Sequence, residues 1–128
     1  MARILIADDS AANRLSLKLE LDDRGHAVVE AANGTEALAL LQGGRFEAVV
    51  TDIWMPGADG IAVVQAIRGI DAELAVFVVT GGGAGLSIAS AATLAQVWGA
   101  REVFVKPFDV RDLVGRLEQA LAERQAGS

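Results

Sequence analysis

Val49-Val50-Thr51-Asp52-Ile53-Trp54-Met55-Pro56-Gly57-Ala58-Asp59-Gly60 decides how this chain folds. An apolar run ends on a carboxylate and breaks at once into turn residues. A run bounded in this way by Pro and Gly reads as a buried strand, and in an open α/β sheet ligands bind beyond the carboxyl ends of the strands. Asp52 is then either a side chain presented at a sheet edge or the start of an Asx turn, and the stretch alone supports both. Pro56 fixes φ, and Gly57 and Gly60 supply positive φ, where the backbone passes over the top of the sheet.

The rest of the chain repeats this pattern. Ile4-Leu5-Ile6-Ala7 is continuously apolar and ends on Asp8 and Asp9, as a parallel strand covered on both faces would. Ser10 caps a helix that closes near Arg24, before Gly25. Leu15, Leu17, Leu19 and Leu21 alternate with polar residues there, a period that taken alone favours a strand. Good helix formers and capping signals at both ends decide for the helix. Strands are expected over residues 27–31, 46–51 (leading to Asp52), 74–79 and 102–105, the fourth running into Thr80. Helices are expected over 36–41, ended by Gly43-Gly44, over 61–68 with Val63, Val64 and Ile67 inward, over 86–97, and over 109–124 with Val110, Leu113, Leu117 and Leu121 inward. Alternating strands and helices imply a parallel sheet covered on both faces. Right-handed crossovers then carry Asp8, Asp9, Asp52, Thr80 and Lys106 to one rim.

At 128 residues, 52% hydrophobic and 22% charged, the chain fits one domain over 1–124 with a frayed tail at 125–128. A net charge of -6 argues against a nucleic-acid surface, which needs a basic patch. With no cysteine there is neither a disulfide framework nor thiolate chemistry. The first apolar run is too short for a signal peptide and no run would span a bilayer, so a soluble cytoplasmic protein is expected. Gly81-Gly82-Gly83-Ala84-Gly85 does not match either glycine-rich phosphate-binding pattern. His26, the only histidine, reads as structural because no second histidine or nearby acid completes a site with it.

Three carboxylates, a hydroxyl and an ammonium on one rim form a specific chemical set. Crowded carboxylates resist ionisation together, and a hard divalent cation resolves the conflict. One of them can then attack phosphorus while the cation, Thr80 and Lys106 absorb charge on the phosphoryl oxygens.

Taken in order, Asp8-Asp9, Asp52 with Met55-Pro56 and Asp59-Gly60, Thr80-Gly81 and Lys106-Pro107-Phe108 resemble the receiver domain of two-component response regulators, over essentially the whole chain. The resemblance implies a flavodoxin-like (βα)5 doubly wound sheet of order 2-1-3-4-5. It makes Asp52 the phosphoryl acceptor, served by a sensor histidine kinase or a histidine phosphotransfer protein. Mg2+ would be held by Asp8, Asp9, Asp52 and the Trp54 backbone carbonyl. Thr80 would be the switch hydroxyl, Lys106 the partner of a phosphoryl oxygen, and Lys106-Pro107 a cis peptide. The implied role is a stand-alone receiver, not an enzyme beyond its own phosphorylation and dephosphorylation. An unknown protein target would dock on the face of the fourth helix, fifth strand and fifth helix. A monomer is expected, with dimerisation on phosphorylation left open.

The chain also departs from the family. Val103 stands three residues before Lys106, where the family commonly places a switching aromatic, and Phe104 must face the other way because side chains alternate across a strand. The segment between Thr80 and Lys106 looks long, and ordering of residues 81–98 is the expected route of the signal. Trp54 either shields an acyl phosphate or packs on its loop, and Trp98 reads as core. Two rivals remain: a receiver that is never phosphorylated and acts as a scaffold, and an Asp-nucleophile phosphatase. The phosphatase would need an acid two residues after its nucleophile, where this chain has Trp54 or Ser10.

Overall fold

The computed structural model describes residues 2–53, 60–71, 73–80, 93 and 99–126. The turn at 54–59, the glycine-rich patch at 81–85, the helix expected over 86–97 and Trp98 lie outside the described residues. So does the Trp54 carbonyl.

Five strands, β1 (Arg3–Ala7), β2 (Ala27–Ala31), β3 (Ala48–Asp52), β4 (Ala75–Thr80) and β5 (Glu102–Val105), form one sheet in the order β2-β1-β3-β4-β5. Every neighbouring pair is parallel. The helices described are α1 (Ala11–Asp23), α2 (Gly34–Gly43), α3 (Gly60–Ile70) and the C-terminal helix α4 (Val110–Ala126). The order reverses direction at β1, which lies between β2 and β3, the kind of switch point at which open α/β sheets bind ligands.

Strand side chains alternate between two cores. Leu5, Val49, Val76 and Val78 pack with Ala37 and Leu41 of α2 and Val63, Val64 and Ile67 of α3. Ile4, Ile6, Val50, Phe77 and Val79 pack with Leu17 and Leu21 of α1 and Leu113, Val114 and Leu117 of α4 on the other face. Ile4, Leu5, Ile6 and Phe77 have no exposed surface, and each such side chain contributes roughly 1.5–3 kcal/mol. Val103 joins the first core and Phe104 the second, as strand alternation requires.

The alternating leucines of α1 resolve simply. Positions 17 and 21 share the face turned to the sheet and are buried, whereas Leu15 and Leu19 share another face and are 54% and 59% exposed. The Ser10 side chain accepts from the Asn13 N–H and caps the start. At the end, Gly25 N–H bonds the Asp22 carbonyl and His26 N–H the Leu21 carbonyl, with Gly25 at φ +86°. This Schellman closure needs a residue that takes positive φ without strain, hence glycine. The C-terminal helix runs two residues past the expected boundary, to Ala126. No helix among the described residues is long and apolar enough to cross a membrane.

Candidate functional site

The carboxyl ends of β1, β3, β4 and β5 bring the expected side chains to one rim. Asp8 follows β1, Asp52 ends β3, Thr80 ends β4 and Lys106 follows β5. Asp8, Asp52 and Thr80 are buried and Asp9 is exposed. Carboxylate oxygens of Asp8, Asp9 and Asp52 lie within 4.8 Å of one another. The Lys106 Nζ donates to Asp52 Oδ2 at 2.6 Å and stands 3.5 Å from Asp8 Oδ2. Asp52 pairs in register with Val79, which puts Thr80 one residue beyond it on the neighbouring strand. The Lys106 backbone N–H bonds the Thr80 carbonyl at 2.9 Å, tying the lysine to the end of β4. The Lys106-Pro107 bond is cis, as expected from the motif.

The electrostatics follow from this geometry. Partial burial would lower the Lys106 pKa, but the hydrogen bond to Asp52 and the charges of Asp52 and Asp8 outweigh it and hold the pKa above the ordinary lysine value. The amine therefore stays charged at neutral pH. One ammonium facing three gathered carboxylates leaves the cluster negative. The donor set is all hard oxygen at a rim open on the Asp9 side, which suits a divalent cation such as Mg2+ and its retained waters.

Sequence reading missed the side chains that hold this cluster. The Ser10 N–H donates to Asp8 Oδ1 at 2.8 Å, and Asn13 Nδ2 reaches Asp8 Oδ2 at 3.4 Å. Arg14 Nη1 donates to the Asp8 carbonyl at 2.7 Å while its Nε pairs with Glu30 on β2 at 3.2 Å. The one available signal was that Asn13 and Arg14 lie in the first turn of the helix following Asp8. The expectation that His26 lacks an acid is overturned. Its Nε2 lies 2.9 Å from Glu118 Oε2 on α4, and its Nδ1 accepts the Ala2 N–H. That network sits at the opposite end of the sheet from Asp52.

The family described as the response regulator receiver domain matches residues 4–118, and the chain belongs to that family, which works in two-component regulatory systems. It is similar to the uncharacterized transcriptional regulatory protein YkoG of Bacillus subtilis, 34% identical over 125 residues that cover 98% of this chain and 52% of that protein. It is likewise similar to the response regulator MprA of Mycobacterium tuberculosis, 34% identical over 119 residues covering 93% and 50% of the two chains. Among solved structures, the CheY-like receiver domain protein from Methanospirillum hungatei superposes with a TM-score of 0.90 at 27% identity, over 100% of this chain and 99% of that one. The chain spans about half the length of the curated relatives it matches.

Proposed function

We propose that this receiver accepts a phosphoryl group on Asp52 from a phosphohistidine, on a histidine kinase or a phosphotransfer protein, in a Mg2+-dependent reaction, and thereby changes which partner it binds. The observation that carries this reading is the Lys106 ammonium held between Asp52 and Asp8 in a cluster of three acids.

The roles follow from the positions. An oxygen of the Asp52 carboxylate bonds to phosphorus as the phosphorus–nitrogen bond to the donor imidazole breaks, and the imidazole keeps that electron pair. Lys106 exchanges its bond to Asp52 for one to a phosphoryl oxygen, and the Thr80 hydroxyl turns to another. Asp8, Asp9 and Asp52 would hold Mg2+, with the Trp54 carbonyl as the family resemblance implies, and the ion would supply positive charge against the phosphoryl oxygens. Water later cleaves the acyl phosphate and frees Asp52, so the domain's chemistry is confined to itself.

The modification adds close to two negative charges and new acceptor oxygens beside an ammonium and a hydroxyl. A bias of a few kcal/mol inverts a two-state population. A cytoplasmic protein target reads the change on a face that includes β5 and the C-terminal helix. Val103 stands where the family commonly places a switching aromatic, so that rotamer change is not the carrier of the signal.

Incubation with acetyl phosphate and Mg2+, followed by intact-mass and peptide analysis, tests the reading. One phosphoryl increment on Asp52 is expected, absent with a chelator and absent from Asp52→Ala. No increment on the wild-type chain would leave a scaffold that is never phosphorylated. An increment on another residue would overturn the assignment of Asp52.

A further inference from the structure

The peptide groups on both sides of Asp8 are fixed against the end of one neighbouring strand, one directly and one through Arg14. The Asp8 backbone N–H donates to the Ala31 carbonyl at 3.1 Å, directly from β2. Its own carbonyl accepts from Arg14 Nη1 at 2.7 Å, and the Nε of that guanidinium is paired with Glu30, the residue before Ala31. The β1–β2 register sets this up, since Ile6 faces Glu30 and Ala7 faces Ala31. Arg14 thus spans from the first turn of α1 to the tip of β2, with the loop bearing Asp8 and Asp9 clamped beneath it.

The clamp is built to be rigid. The Arg14 side chain is only 17% exposed, and a planar guanidinium bonded through both Nε and Nη1 has its orientation fixed. The Asp8 carboxylate is tied separately, by the Ser10 N–H on Oδ1 and by Asn13 on Oδ2. Arg14 therefore acts on the backbone from which both acids hang, not on their charge. Partners one bond removed from ligands typically set metal affinity by about 10- to 100-fold.

We propose that the Arg14–Glu30 pair is a positioning device for the divalent-cation site: it fixes the Asp8–Asp9 loop in ligating geometry, and the affinity for Mg2+ depends on it. This inference rests on the reading of the acidic cluster as a Mg2+ site. Arg14 is a positioning residue, since it touches none of the three carboxylates.

Net charge acts in the opposite direction. Removing Arg14 alone deletes a positive charge and leaves Glu30 unpaired about one side chain away, which draws a cation in. The double substitution Arg14→Met/Glu30→Gln removes the clamp with no change in net charge, so the loss of positioning stands alone. The measurement is Mg2+ titration of the full chain by calorimetry, alongside urea unfolding without metal.

The double variant is expected to bind Mg2+ about tenfold more weakly than the wild type. Arg14→Met alone is expected to lose less, because the bare Glu30 charge offsets part of the effect. Arg14→Lys, which keeps the charge but replaces the planar fork bonding through Nε and Nη1 with a single flexible donor atom, should also bind more weakly than the wild type. A double variant with wild-type affinity, whatever its unfolding midpoint, would overturn the proposal and leave Arg14 a merely structural residue. A wild-type chain that takes up no Mg2+ would instead sink the metal reading on which it depends, so the two failures are distinguishable.

Discussion

The two ends of the sheet are built on opposite electrostatic plans. At the carboxyl ends of the strands, Asp8, Asp9 and Asp52 crowd around one ammonium, Lys106. At the amino ends, charges are matched: Arg24 bonds both Glu20 and Glu118, Glu118 also takes His26, and Arg124 pairs with Asp71. Like charges gathered at a rim cost stability until something positive arrives, whereas the matched set ties α1 and α3 to the C-terminal helix whatever is bound. One end is arranged for a ligand and the other for holding the fold.

The sharpest way to break this contrast is to remove the cation of the crowded end. Lys106→Met should slow phosphoryl labelling of Asp52 about a hundredfold, the loss typical when a preorganised donor to developing charge is deleted. The acetyl phosphate time course would measure it. It should also lower unfolding free energy without metal, because the buried Asp8 and Asp52 carboxylates lose the ammonium beside them. Added Mg2+ should restore part of that loss. Unchanged labelling would mean that Lys106 merely neutralises the cluster and takes no part in transfer.

A smaller effect is expected at the matched end. Glu118 is held below the ordinary glutamate range, first by the hydrogen bond with His26 and then by Arg24. A carboxylate with a depressed pKa contributes stability that is present above the unfolded value, 4.5, and disappears as pH falls through the folded value. Glu118→Gln should therefore lose about 1 kcal/mol in urea unfolding at neutral pH, a figure discounted because the side chain is 37% exposed. The gap between variant and wild type should close below pH 4.5. A gap that persists into acid would place the effect in packing and not in charge. Labelling of Asp52 should be unaffected throughout.

These two ends were not equally visible in the sequence. The site rim was legible because each strand is an apolar run and the next residue is polar, so Asp8, Asp52, Thr80 and Lys106 mark their own positions once the strands are parallel. The alternation that sent Phe104 away from Val103 was legible for the same reason. The matched end has no such signature. His26 and Glu118 stand 92 residues apart, and at the crowded end Arg14 and Glu30 are hidden in the same way, 16 apart across the rest of α1 and a turn. Nothing in a local pattern selects those partners from the many other charges, because they are chosen by how α1, β2 and the C-terminal helix pack. Helix ends were displaced where a stop signal was weak: Gln125 and Ala126 favour continuing the C-terminal helix, and Gly127 is the first residue that does not.

The smallest expected effect discriminates best, because its sign differs between the two ends. Asp9 is exposed and adds a third like charge next to the buried Asp8 and Asp52. Neutralising it relieves repulsion, so Asp9→Asn should raise unfolding free energy in a chelating buffer by up to about 1 kcal/mol, the range of exposed charge interactions. Neutralising Glu118 at the matched end lowers stability under the same conditions. Excess Mg2+ should then invert the order at the crowded end alone: the wild type gains RT ln(1 + [Mg2+]/Kd), while Asp9→Asn, short of a ligand, gains far less. Urea curves for the three proteins with chelator and with Mg2+ would show it. If Asp9→Asn were destabilised in chelator as Glu118→Gln is, Asp9 would have a structural partner, and the crowded end would be no more frustrated than the other.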